Sequence, residues 1–139
     1  MRPRTSVAVL VPCLDEAVSV QAVVQGFLAS LGDCEVYVYD NGSTDNTADL
    51  ALEAGAIVRR EPRPGKGHVV RRMFADVDAD VYVMADGDGT YDPAEAPVLV
   101  DRLLGDGLDM VVGVRQGLDQ RTNRFGHVLG NRAFNRLYR

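Results

Sequence analysis

The run Val81-Tyr82-Val83-Met84-Ala85-Asp86-Gly87-Asp88-Gly89-Thr90-Tyr91-Asp92-Pro93 decides how the rest of the chain is read. Its first five residues are apolar, aromatic or β-branched and carry no charge, which suits a central strand covered on both faces. The run then turns abruptly polar, and Pro93 is placed for the first turn of a following helix. A buried strand that ends in a glycine- and aspartate-rich loop and feeds a helix is half of a parallel strand–helix–strand unit.

The same alternation continues on either side. Residues 6–11 form an apolar run ending at Pro12, and residues 17–31 carry apolar side chains at 20, 23, 24, 27, 28 and 31, one face of a helix. Residues 35–39 repeat the strand signal. Asp40-Asn41-Gly42-Ser43-Thr44 then makes a turn with a capping residue, and residues 45–54 read as a helix stopped by Gly55. Residues 56–59 predict a weaker strand. Past the breaker Pro62-Arg63-Pro64-Gly65, a helix beginning at 66 or 67 and running to 77 leads into the strand at 81–85. A helix over 93–104 and a strand over 110–114 complete the pattern. The expected fold is an α/β three-layer sandwich with a mostly parallel central sheet. Ligands of such sheets bind beyond the carboxyl ends of the strands, which points to the loops at 12–16, 40–45 and 86–92.

A chain of 139 residues, 46% of them hydrophobic, has the length of one domain and enough apolar surface for a core. One domain over residues 1–139 is therefore expected. No run of eighteen apolar residues occurs, and no signal-peptide pattern precedes the first strand, so a soluble, cytoplasmic chain is expected. Cys13 and Cys34 match no metal spacing and read as ordinary thiols. The net charge of −5 is unevenly spread: between Val114 and Arg139 six arginines face one acid, giving +5 and leaving −10 on the rest. Residues 123–139 read as a basic amphipathic helix, with Phe125, Leu129, Ala133 and Leu137 four apart. Its basic side can face phosphates, a membrane surface or solvent, and no nucleic-acid partner is expected. The chain stops there without a cap or a closing strand, as a domain incomplete at its C-terminus would.

Asp86 and Asp88, separated by one small residue just past a buried strand, can present hard oxygen ligands to Mg²⁺ or Mn²⁺. A cation held there can bridge a diphosphate and neutralise the charge that develops as it leaves. The bland alternative is an Asp/Gly turn with solvated carboxylates. Asp40 emerges at the same sheet edge, where it can accept from a nucleobase N–H, whereas Ser43, Thr44 or Asp45 serves as helix cap. Asp15 and Glu16 share that edge, and helix capping alone would account for one of them. Gly65-Lys66-Gly67 sets a cation and backbone N–H groups at a helix start, as a phosphate site or a plain turn. His68 and His127 stand alone and read as structural or exposed.

Taken as a series, Val9-Leu10-Val11-Pro12-Cys13-Leu14-Asp15-Glu16, Asp40-Asn41-Gly42-Ser43-Thr44-Asp45, Gly65-Lys66-Gly67, Asp86-Gly87-Asp88 and Val112-Gly113-Val114-Arg115 resemble the inverting glycosyltransferases of family 2. The likeness is nearest to enzymes that place a sugar on a polyprenyl phosphate, such as dolichol-phosphate mannosyltransferase. It implies a GT-A fold, a nucleotide-diphosphate sugar donor, a polyprenyl-phosphate acceptor and Mg²⁺ or Mn²⁺. By position, it implies Pro12, Asp15, Glu16 and Asp40 around the nucleoside, and Lys66 close to the base or diphosphate. It makes Asp86 and Asp88 the metal ligands. It also implies Arg115 as a phosphate-binding residue at the reaction centre, assisted by Arg121 or Arg124. A phosphate acceptor is ionised at neutral pH and needs no general base. Four positions depart from the family pattern. Leu14-Asp15 stands where Tyr-Asn is frequent, Asn41 replaces a second aspartate, and Thr90 stands where the polyprenyl-phosphate enzymes often carry a Gln.

Two other functions fit parts of the chain. Asp86-Gly87-Asp88-Gly89-Thr90 also matches the nucleophile motif of haloacid-dehalogenase-like phosphatases. Those enzymes require a downstream lysine, and the single lysine here, Lys66, lies upstream. The remaining alternative is a nucleotide-sugar-binding fragment without independent activity. The basic stretch at 123–139 would in either case allow peripheral contact at the cytoplasmic face of a membrane.

Overall fold

The computed structural model describes residues 5–114. Four strands, β1 (Val7–Cys13), β2 (Glu35–Asp40), β3 (Ile57–Arg60) and β4 (Val81–Met84), form one sheet in the order β3-β2-β1-β4. Every pairing is parallel. The connections are α1 (Val20–Leu31), α2 (Thr47–Glu53) and α3 (Lys66–Asp76), and β4 is followed by a 3-10 turn at Pro93–Glu95 and α4 (Ala96–Gly105).

Strand alternation divides the core into two layers, as a sheet covered on both faces requires. Val9, Val11, Val36 and Val38 point to one face and pack with Val20, Val23, Val24 and Phe27 of α1 and Ala51 of α2. Ala8, Leu10, Tyr37 and Tyr39 point to the other face, against Val69 and Met73 of α3. The molecule is thus the three-layer α/β sandwich expected from the alternation. Gly26 of α1 is where the connection after β4 crosses that helix: a Cβ there would lie 2.7 Å from Pro93 Cγ. This contact fixes the far end of the loop that carries Asp86 and Asp88.

Pro12 shows where the sheet opens. The sequence places it just after the first strand, but it is buried within β1, in register with Tyr39. Leu10 accepts from the Ala85 N–H at 3.2 Å and so faces β4, whereas Cys13 accepts from the Asn41 N–H at 2.9 Å and faces β2. Pro12, two residues beyond Leu10, would also face β4, and it has no N–H to donate. The β1–β4 ladder ends at Leu10 and Met84. Beyond it the chain leaves the sheet as Ala85-Asp86-Gly87-Asp88, at the point where strand order reverses around β1 and a crevice is expected.

Helix boundaries move, and the helix expected over 93–104 divides into the 3-10 turn and α4. The first helix starts at Val20 rather than 17, because residues 14–19 serve the loop between β1 and the helix. The second spans Thr47–Glu53. One element differs in kind: residues 110–114 form no strand, and Met110, Val112 and Val114 are 77%, 72% and 79% exposed. An apolar, β-branched run becomes a strand only where a neighbour supplies ladder bonds. Here it passes beside α4, with Gly113 against Leu99. The helix expected over 123–139, His127, Arg115, Arg121 and Arg124 lie outside the described residues.

Candidate active site

Four loops leave the carboxyl edge of the sheet, one from each strand, and side chains join them into a closed ring. The loop after β1 is bonded to the loop after β2 and the first residue of α2 by five hydrogen bonds, among them one from Thr44 Oγ1 to Asp15 Oδ1 at 3.2 Å. Asp15 N–H donates to Ser43 Oγ at 2.9 Å, Glu16 N–H to Thr47 Oγ1 at 2.8 Å and Ala17 N–H to Asp45 Oδ2 at 3.2 Å. In return Thr44 N–H donates to Asp15 Oδ1 at 2.7 Å. Asp15 has a φ of 54°, a left-handed conformation that Asp tolerates better than most residues, and these bonds hold it there.

Asn41 joins the second loop to the third. Its Nδ2 donates to the carbonyls of Glu61 and Arg63 at 2.9 and 2.7 Å, and its Oδ1 accepts from Gly65 N–H at 2.8 Å. The third loop meets the fourth through an ion pair between Lys66 Nζ and Asp86 Oδ1. The fourth loop returns to the first through Ser19 Oγ, which donates to the Gly87 carbonyl at 2.6 Å.

Within the ring, carboxylates crowd one region. The Cys13 thiol is pushed up to about 12 by burial first, then by Glu16, Asp40, Asp86 and Asp45 around it. It therefore stays protonated at neutral pH and acts as a packing group. Burial also raises the Glu16 carboxyl above its ordinary value, reinforced by Asp88, Asp86, Asp45 and Asp15. Asp45 is lowered, chiefly by the Thr47 hydroxyl that bonds it. Gly87 admits the close approach of this loop to β1, since a Cβ there would fall 2.4 Å from Cys13 Sγ.

Seven of the sequence-derived positions, Pro12, Asp15, Glu16, Asp40, Lys66, Asp86 and Asp88, meet at this edge. Asp40, expected at this edge as an acceptor for a nucleobase, also closes its own turn. It is 6% exposed, and its carboxylate accepts from Ser43 N–H at 3.1 Å and Gly42 N–H at 3.3 Å. The N-cap position of α2 is Asn46, not Ser43, Thr44 or Asp45, and its side chain makes no cap bond; Asp45, one residue earlier, accepts from Thr47 N–H at 3.0 Å. Neither Asp15 nor Glu16 caps α1 through its side chain: Ser19 holds the N-cap position and makes no side-chain cap bond. Thr90, the departure from the family pattern, orients Asp88 by donating to its Oδ1 from N–H at 2.9 Å and from Oγ1 at 2.7 Å. His68 is exposed, as its isolation implies.

Residues 8–139 match the model of Glycosyl transferase family 2. The chain belongs to that family. The family 2 chain is 50% identical over 123 residues to Protein RfbJ of Shigella flexneri, covering 88% of this chain and 95% of that protein. It is 38% identical over 135 residues to the glycosyltransferase AglJ of Haloferax volcanii, covering 93% of this chain and 44% of AglJ. Among solved structures it superposes on glucosyl-3-phosphoglycerate synthase of Mycobacterium tuberculosis in complex with Mg²⁺ and UDP. There the TM-score is 0.64 and the identity 30%, over 72% of this chain and 40% of that one. The same synthase in complex with Mn²⁺, UDP-glucose and phosphoglyceric acid matches with a TM-score of 0.64. The fold is therefore GT-A, and the chain spans under half the length of AglJ and of the synthase. Family membership displaces the phosphatase alternative.

Asn41, Glu61, Thr47 and Ser19 carry the ring but were not singled out by sequence. Asn41 registered only as a departure from a family aspartate. The two buried polar residues Thr47 and Glu61, 0% and 5% exposed, had no signal beyond their positions beside the motif loops.

Proposed function

We propose that the chain forms the donor-binding portion of a glycosyltransferase that moves a sugar from a nucleoside-diphosphate sugar to a polyprenyl phosphate, with inversion. The observation that carries this reading is the meeting of Asp86, Asp88, Glu16, Asp40 and Lys66 at one sheet edge in a family 2 chain. Mg²⁺ or Mn²⁺ fits the donor set. Among the described residues no three His, Cys, Asp or Glu are grouped to hold a metal. Two carboxylates completed by diphosphate oxygens and water are, however, the usual environment of such an ion. Glu16 is raised first by burial and then by the neighbouring carboxylates, and the second part is the kind of charge a cation relieves.

In this reading, Asp86 and Asp88 hold the cation, which supplies charge neutralisation on the departing diphosphate. Lys66 and the backbone at the start of α3 face the diphosphate, where the N-terminal helix dipole favours anions. Asp40 and Asp15, fixed by their loops, accept from the nucleoside. Pro12 shapes the crevice floor from within β1. Arg115, with Arg121 or Arg124, binds phosphate of donor or acceptor. An oxygen of the ionised acceptor phosphate attacks the anomeric carbon as its bond to the diphosphate oxygen breaks, and the nucleoside diphosphate departs. No side chain has to remove a proton.

The decisive assay is transfer of labelled sugar from UDP- and GDP-sugars to a polyprenyl phosphate with Mn²⁺ present. Product formation that is lost in Asp88→Asn supports the reading, and transfer to phosphoglycerate alone overturns the acceptor. A second reading is a nucleotide-sugar-binding module without activity of its own. Donor binding without any transfer would establish it. No helix among the described residues is long and apolar enough to cross a membrane. Placement in the cytoplasm, at the membrane's cytoplasmic face, belongs to the same proposal. It rests on the arginines of residues 115–139, and co-sedimentation with anionic liposomes at low salt tests it.

A further inference from the structure

Ser19 occupies the N-cap of α1, where a serine hydroxyl ordinarily turns inward to accept from the first free N–H groups of its helix. Here it makes no such bond. The hydroxyl instead donates outward, across to the loop after β4, to the Gly87 carbonyl at 2.6 Å. A weaker 3.4 Å contact runs to the Glu16 carbonyl. The start of α1 is held without it: Ser19 N–H and Val20 N–H both donate to the Glu16 carbonyl, at 3.1 and 2.9 Å. Gly87 is buried between Asp86 and Asp88, pressed onto Cys13, and Gly89 lies 3.5 Å from Ser19 Cβ when a Cβ is built on it.

We infer that Ser19 is a positioning residue for the carboxylate pair. The peptide joining Gly87 to Asp88 sets the direction in which Asp88 leaves the backbone relative to Asp86. Its carbonyl is held by one bond from Ser19, and the Gly87 Cα beside it packs so near Cys13 that a Cβ there would fall 2.4 Å from Sγ. Releasing that bond lets the peptide rotate, so the two carboxylates lose their common aim while the core beneath them stays intact. The inference rests on the reading of Asp86 and Asp88 as cation ligands. A partner that orients a ligand through one intervening bond is worth about ten- to a hundredfold in metal affinity.

The test is Mn²⁺ titration of the full chain with UDP, followed by the electron paramagnetic resonance signal of free Mn²⁺. Wild type is compared with Ser19→Ala, Ser19→Thr and Ser19→Val, together with urea midpoints and hydrogen exchange at Gly89 and Thr90. The expected result is Mn²⁺ affinity about tenfold weaker in Ser19→Ala, and faster exchange at those two amides, with a urea midpoint near that of wild type. Thr and Val have nearly the same shape, so the affinity kept by Ser19→Thr and lost by Ser19→Val isolates the hydroxyl even if the alanine variant folds poorly. Equal Mn²⁺ affinity in wild type and Ser19→Ala, or in the Thr and Val variants, overturns the inference alone. Failure of wild type to bind Mn²⁺ at all overturns the cation reading and this inference with it.

Discussion

Lys66 Nζ is paired with Asp86 Oδ1, so the single lysine of the chain neutralises the first carboxylate of Asp86-Gly87-Asp88. The lysine side chain is 60% exposed and the aspartate 30%, which makes the pair an exchangeable surface contact rather than a structural one. A divalent cation held by Asp86 would compete with the Lys66 ammonium for that carboxylate and, under the proposed function, would leave Lys66 to pair with the diphosphate.

Replacing Lys66 by Met accordingly has opposite effects in the two states. Without nucleotide, Mn²⁺ binds about two- to fivefold more tightly, because a competing surface charge is gone. With Mn²⁺ present, UDP binds about tenfold more weakly, because a charge-assisted hydrogen bond is lost. Calorimetry of both titrations checks this, and a loss of Mn²⁺ affinity in the nucleotide-free variant contradicts the exchange.

Gly87→Ala places a methyl group 2.4 Å from Cys13 Sγ, inside a buried contact. Overpacking of this kind costs about 1–3 kcal/mol. Cys13→Ala removes the clashing sulfur, so the double variant should lose less stability than the two single changes added together. Urea denaturation of the four proteins measures the coupling, and strict additivity would show that the two residues do not press on each other.

Glu16 gives a pH signature. Its carboxyl is raised by burial and by neighbouring carboxylates, so the folded protein binds that proton more tightly than the unfolded chain does. The associated stability is present at low pH and is lost as pH rises through the raised value. At pH 7 the ionised side chain is a net cost, and Glu16→Gln removes it. The variant should melt about 1–4 °C above wild type at pH 7. The difference should fade below about pH 4, where Glu is protonated in the unfolded chain too. Thermal melts across that range check the sign, and a variant that melts below wild type at pH 7 contradicts it.

The layers of the fold were legible because each strand and helix carries its own periodicity. Val9, Val11, Val36 and Val38 alternate with Leu10, Tyr37 and Tyr39, and each set finds a different layer of helix. Residues 110–114 have the same composition and form no strand, since pairing depends on a neighbour that composition does not encode. The site was legible to the same degree. Aspartates at strand ends announce themselves by chemistry, so the placement of Asp40, Asp86 and Asp88 at one sheet edge could be read from the sequence. Asn41 and Ser19 act on carbonyls more than twenty residues away or on another loop, at distances that only the folded chain defines. Pro12 was assigned to a loop because proline usually ends strands, and it remains in β1 because the partner on its donor-less side has already turned away.

The central claim is that Asp86 and Asp88 hold a divalent cation against a nucleoside diphosphate. Calorimetric titration of the chain with UDP and with GDP, in Mn²⁺ and again in EDTA, tests it most directly, using wild type beside Asp86→Asn and Asp88→Asn. Binding of at least one nucleotide is expected to require Mn²⁺ and to weaken by at least about a hundredfold in either variant, consistent with losing a direct ligand. Nucleotide binding of equal strength in EDTA, unchanged in both variants, would contradict it.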